Sequence, residues 1–130
     1  MFGLRLSKIL AILILLMGII HIIATFTPLI KTGLECLSLG ALDAMVYMSL
    51  GCGMFLVLSG VLLFLLLGKV TQFKFLFVPV FLICGFLLVN GVLAVVYMLN
   101  NPFAWMVFAL SLGVSIVSIR LKMAVNKPIH

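Results

Sequence analysis

The chain has 130 residues, 67% of them hydrophobic, with eight Lys/Arg, two Asp/Glu and a formal net charge of +6. A water-soluble domain of this size has too little interior to hide that much apolar surface, so a soluble fold is excluded. The positive charge needs no nucleic acid, because the cations flank apolar runs and there face anionic lipid.

Arg5 and Lys8 precede the first apolar run, 9–26. Its uninterrupted length exceeds the apolar core of a secretory signal, and residues 25–28 offer no small-x-small cleavage site, so an uncleaved first helix is expected. The connection 27–42 mixes Leu29, Ile30, Leu34, Leu37 and Leu39 with Lys31, Glu35 and Ser38. That pattern suits an interfacial segment with a short helix after Gly33, acting as a covered connector.

The second run, 44–67, ends at a short basic turn, 68–74, which leads into the third run, 75–99. Asn100, Asn101 and Pro102 then form a tight turn in which Pro102 opens the fourth run, 103–119, at its first helical position. Arg120, Lys122 and Lys127 follow. A crossing needs about 20 apolar residues, so the expected fold is all-α. It is a single transmembrane domain over 1–130, four helices in an antiparallel up-down bundle. Four crossings put the three basic clusters on one side, and the preference of short Lys/Arg-rich segments for the cytoplasm makes both termini cytoplasmic.

Aromatic residues agree with that layout. Trp105 and Tyr97 mark the outer boundary, where amphipathic rings collect. Phe73, Phe75, Phe77, Phe81 and Phe86 crowd the inner end of the third helix, toward lipid or a partner helix.

Polar side chains inside a membrane are costly, so those present are the candidates for function. At a rise of about 1.5 Å per residue, His21 lies about 20 Å beyond Lys8, Asn90 about 15 Å before Asn100 and Ser111 roughly 13 Å after Pro102. With Tyr47, Cys52 and Tyr97 they occupy the outer half. The inner half is drier, since Ser59, Ser115 and Ser118 can return their hydroxyls to their own helices. An outward-opening pocket is therefore expected over a through-channel, which would need polar lining across both halves.

Spacings of three and four place Gly18, His21 and Thr25 on one face of the first helix. The same spacing groups Asp43, Tyr47 and Gly51 on the second, Asn90, Ala94 and Tyr97 on the third, and Ser111, Ser115 and Ser118 on the fourth. Such small or polar stripes face other helices in membranes, where they allow close approach and hydrogen bonding. The candidate pocket is His21, Thr25, Tyr47, Asn90, Tyr97 and Ser111, with Asp43 as a possible orienting acid. His21 has the widest chemistry: base, hydrogen-bond partner for a quinone or other carbonyl ligand, or metal ligand. Its structural alternative is an interhelical bond to a backbone carbonyl, Tyr47 or Asn90.

Other chemistries find little support. The second histidine is the last residue, His130, and no ligand set has metal-site spacing, so no metal is expected. Cys36, Cys52 and Cys84 contain no C-x-x-C pair, although a Cys36–Cys52 disulfide is conceivable if the loop folds down. There is no nucleophile elbow, no Gly-rich phosphate loop and no paired intramembrane carboxylates. Glu35 and Asp43 suit interface anchoring.

The four-span layout, Gly18-Ile19-Ile20-His21 in the first helix, the longer outer loop, and Asn101-Pro102-Phe103-Ala104-Trp105 entering the fourth together resemble the DoxX-like group of small bacterial inner-membrane proteins. The likeness covers nearly the whole chain in layout. It implies a fold and a bacterial inner (plasma) membrane location more than a reaction; some members are tied to redox complexes or quinone-linked oxidation.

Two function classes follow. The leading one is a non-catalytic accessory or assembly subunit, packing its Phe-rich and small-residue faces against itself in a homo-oligomer or against a larger membrane complex, with membrane lipid around it. The other is a quinone- or lipid-binding membrane enzyme or carrier with an outer-leaflet pocket around His21. No cofactor is predicted, quinone being the one candidate.

Overall fold

The computed structural model describes residues 2–27 and 38–126. They form four helices, α1 (Phe2–Thr25), α2 (Leu39–Leu67), α3 (Phe77–Tyr97) and α4 (Pro102–Val125), with a 3₁₀ turn, Lys74–Leu76, leading into α3. Each span is apolar and long enough to cross a membrane. The outer connector, including Lys31, Glu35, Cys36 and the expected short helix after Gly33, lies outside the described residues, as do Lys127 and His130. A Cys36–Cys52 bridge therefore falls there too.

Three helices overrun the apolar stretches that announce them, while α3 (Phe77–Tyr97) stops two residues short of 75–99 at each end, where the 3₁₀ turn and the Asn100–Asn101 turn take over. α1 begins at Phe2, seven positions before the expected 9, α2 starts at Leu39 instead of 44, and α4 runs on to Val125 past 119. An apolar run measures the hydrocarbon thickness, whereas a helix continues into the headgroup layer, where Arg5, Lys8, Arg120 and Lys122 are tolerated.

Local chemistry sets several ends. Ser38 caps α2, its hydroxyl accepting from Ala41 N at 3.4 Å. Asn101 caps α4, its side-chain oxygen accepting from Phe103 N at 2.9 Å, with Pro102 directly after it. These side chains satisfy amides that the first helical turn leaves open. After α2 the chain turns tightly, Lys69 N bonding Leu66 O and Phe73 N bonding Lys69 O, both at 3.0 Å. Val70, in that turn, is fully buried and closes the end of the core.

Neighbouring helices run antiparallel. In the α1/α2 seam Gly18 lies against Gly53 and Val57, while Gly60 lies against Ala11 and Leu15. α3 and α4 pair likewise, Gly91 under Phe108 near one end and Lys122 over Phe81 near the other. The α1/α2 seam is the most extensive, followed by α3/α4; α1/α4 joins the two pairs and α2/α3 meets only thinly. The shared core includes Ile14, Leu56, Leu63, Val80, Leu87 and Val114.

Lipid is as apolar as leucine, so burying leucine between membrane helices gains little, and association depends on close van der Waals packing. The α1/α2 seam meets that need with small residues seven apart on both sides, Ala11 and Gly18 facing Gly60 and Gly53. The outer surface remains apolar all round, with Ile9, Leu62, Val78, Leu93 and Ile116 among its exposed side chains. A helix apolar on every side belongs in a membrane.

The antiparallel packing brings Arg5, Lys8, Lys69, Lys74, Arg120 and Lys122 to one end of the bundle. Lys8 Nζ stands 5.4 Å from the Phe64 ring centroid and Lys122 Nζ 5.1 Å from that of Phe81. Each aromatic face holds its cation where the chain enters the headgroups. Of the phenylalanines near the start of α3, Phe77 turns into the core, while Phe73, Phe75 and Phe86 point outward.

Candidate functional site

Opposite the basic end, α1 and α2 build a small polar circuit. His21 Nε2 lies 3.1 Å from Ser49 Oγ, which lies 2.7 Å from Thr25 Oγ1, and Thr25 Oγ1 donates to His21 O at 2.9 Å. Thr25, in the last turn of α1, is buried, while His21 and Ser49 are half-buried. The imidazole also packs on Phe103 from α4, ring centroids 5.0 Å apart and planes tilted by 32°.

Proton counting gives the circuit a direction. A carbonyl only accepts, so the single Thr25 proton goes to His21 O, and Thr25 Oγ1 must accept from Ser49. Ser49 then has no second proton to offer, so Nε2 donates to it and the neutral imidazole carries its lone pair on Nδ1. A serine nucleophile needs the opposite arrangement, with the imidazole nitrogen accepting the hydroxyl proton. The circuit thus ties two helices together and leaves Ser49 unactivated.

The other sequence candidates sit apart. Tyr47 is 79% exposed and Tyr97 82% exposed, both on the perimeter. Asp43 is exposed at the start of α2, and among the described residues no hydrogen bond or ion pair joins it to His21. Asn90 meets Cys52 across the thin α2/α3 seam, its side-chain amide 3.9 Å from the sulfur. Ser111 is fully buried and donates to Val107 O of its own helix at 2.7 Å; Ser115 repeats this with Ser111 O at 2.7 Å. Of the six candidates, the structure brings His21 and Thr25 into one site and distributes the rest over other seams or the rim.

Ser49 is the partner that sequence reasoning missed. The second-helix stripe read from sequence is Asp43, Tyr47 and Gly51, yet a Cβ built on Gly51 would meet nothing within 4 Å. The inward face instead carries Ser49, Gly53, Leu56 and Gly60. The two stripes are two residues out of register, a rotation of about 200° at 3.6 residues per turn. The signal was the spacing of four and seven from Ser49 through Gly53 to Gly60.

One further polar atom has no place in this circuit. Ser118 Oγ is buried beside the Cys84 thiol in the α3/α4 seam, and it has no hydrogen-bond partner of acceptable geometry among the described residues. Two surface grooves also lie away from His21 and both are apolar, one between α1 and α2 around Gly60, the other over Gly85 on the outer side of α3. Among the described residues, no group of three His, Cys, Asp or Glu side chains is placed to hold a metal ion.

No protein-family model, no curated protein and no solved structure matches the chain, so the resemblance to the DoxX-like group gains no support from these comparisons.

Proposed function

We propose that this integral membrane protein is a non-catalytic accessory or assembly subunit. The observation that carries the reading is the His21–Ser49–Thr25 circuit: the side chain with the widest chemical repertoire in the spans is engaged as a bridge between α1 and α2. Interhelical hydrogen bonding is the ordinary duty of polar groups in helical membrane proteins. Apolar side chains cover the rest of the bundle's outside, where lipid, a second copy or a larger complex would be the partner.

The orientation belongs to the same proposal. Six described cations gather at one end, and short Lys/Arg-rich segments stay cytoplasmic, so that end faces the cytoplasm and Trp105 and Tyr97 mark the outer surface of a plasma membrane. A single cysteine placed at position 69, in a background without the native thiols, is then labelled by impermeant reagent only after cells are opened. Labelling in intact cells would reverse the orientation. The subunit role is tested by purification in several mild detergents followed by native mass spectrometry. Recovery as a homo-oligomer or within a larger assembly is expected, and a lone, inert monomer in every detergent refutes it.

A further inference from the structure

The apolar groove between α1 and α2 has a charged end. Its walls are Ile12 and Leu15 on α1 and Val61, Phe64 and Leu65 on α2, and its floor is Gly60. Lys8, Ile12 and Leu15 are separated by four and three residues, so Lys8 continues the α1 wall by one turn toward the basic end. Phe64 belongs both to the groove and to the lysine's surroundings, because Lys8 Nζ stands 5.4 Å from its ring centroid.

Gly68 borders this ammonium. A Cβ built there would lie 3.6 Å from Lys8 Nζ and 3.1 Å from Leu65 O. The cation thus sits in a niche at the carbonyl end of α2, a position that favours positive charge. Among the described residues its N–H groups make no hydrogen bond or ion pair, and Arg5 and Lys69, both exposed, flank it. From Gly60 to Gly68 the groove and niche extend roughly 12 Å along the axis, at about 1.5 Å per residue, enough for a good part of an acyl chain.

We propose that this groove is a binding site for one anionic phospholipid, an acyl chain lying against Gly60 between Ile12 and Val61 and the phosphate meeting the Lys8 ammonium. Charge complementarity selects the occupant: the groove is apolar along its length and cationic only where it reaches the headgroup layer, matching a lipid with a negative head. Basic sites between transmembrane helices have this chemistry in general. The inference needs only that the bundle crosses a bilayer, and it stands apart from the accessory-subunit reading.

The test is native mass spectrometry of the full chain released from bilayer discs of mixed phosphatidylglycerol and phosphatidylcholine. Wild type is expected to retain one phosphatidylglycerol in preference to phosphatidylcholine. Lys8→Gln should lower that preference about fivefold, the factor set by one juxtamembrane lysine. Lys74→Gln, at the same end but away from the groove, should leave it unchanged. Val61→Phe fills the groove with another lipid-compatible side chain and should reduce retention of both lipids; Leu65→Trp, from the same wall, serves if helical content shows that Val61→Phe misassembles. The proposal fails if Lys8→Gln behaves as wild type, or if both lysine variants fall together, which is diffuse attraction to the basic end. It also fails if filling the groove changes nothing.

Discussion

Adding one methyl group to Gly18 or Gly60 tests the packing of α1 against α2. A Cβ on Gly18 would lie 2.7 Å from Val57 N and 2.8 Å from Gly53 O; one on Gly60 would lie 2.7 Å from Leu15 N and 2.8 Å from Ala11 O. These neighbours are backbone atoms, which cannot rotate aside. Ordinary contact begins at 3.4 Å, so the helices must part by about 0.7 Å. A gap of that size forfeits roughly a quarter to a half of the dispersion energy across the seam, and overpacking of a tight core costs about 1–3 kcal/mol. Gly51 and Gly85 provide the control, since neither would meet anything within 4 Å. Alanine there should be neutral or stabilise by up to about 1 kcal/mol through helix propensity. Unfolding the four variants by transfer from dodecyl maltoside into SDS, followed by circular dichroism, gives the comparison. If Gly18→Ala and Gly60→Ala are no less stable than Gly51→Ala and Gly85→Ala, the close seam is wrong.

The His21–Ser49 bridge should appear as a coupling of about 0.6–1.7 kcal/mol, the range for interhelical hydrogen bonds in a membrane. A double-mutant cycle of His21→Ala and Ser49→Ala in the same assay measures it, and additive losses would remove the bridge. Ser118→Ala should be neutral or stabilise by up to about 1 kcal/mol, because it removes a buried hydroxyl without a partner. A clear loss of stability would instead reveal a bond that Ser118 makes in the membrane.

Different levels of the structure were legible in the sequence to different degrees. Existence and order of the four helices followed from apolar length, because hydrocarbon thickness fixes how many residues a crossing needs. Helix ends did not, since Arg5, Lys8, Arg120 and Lys122 end an apolar run without ending a helix. Rotation was hardest to read. α2 is apolar on every side, so Asp43–Tyr47–Gly51 and Ser49–Gly53–Gly60 compete as its inward stripe and only packing against α1 decides between them. α1 offered a single stripe containing its histidine, and His21 and Thr25 accordingly fall together. The partner Ser49 stayed hidden because a lone serine in an apolar helix ordinarily bonds its own backbone, as Ser111 does.

The uneven seams carry a consequence for biosynthesis. Spans one and two hold complementary glycines, a shared hydrogen-bond circuit and the lysine niche between them, so this hairpin has its mating surface complete before the third span leaves the ribosome. Spans three and four form a second hairpin by the same short-range logic. Among the described residues, the contact of α1 with α4 and the thin meeting of α2 with α3 are the main joints between the two. Closure of the bundle therefore waits for the last span to find the first, the most sequence-distant pairing in the molecule, and the thin joint between α2 and α3, with its Asn90–Cys52 contact, is where a newly made chain stays open longest.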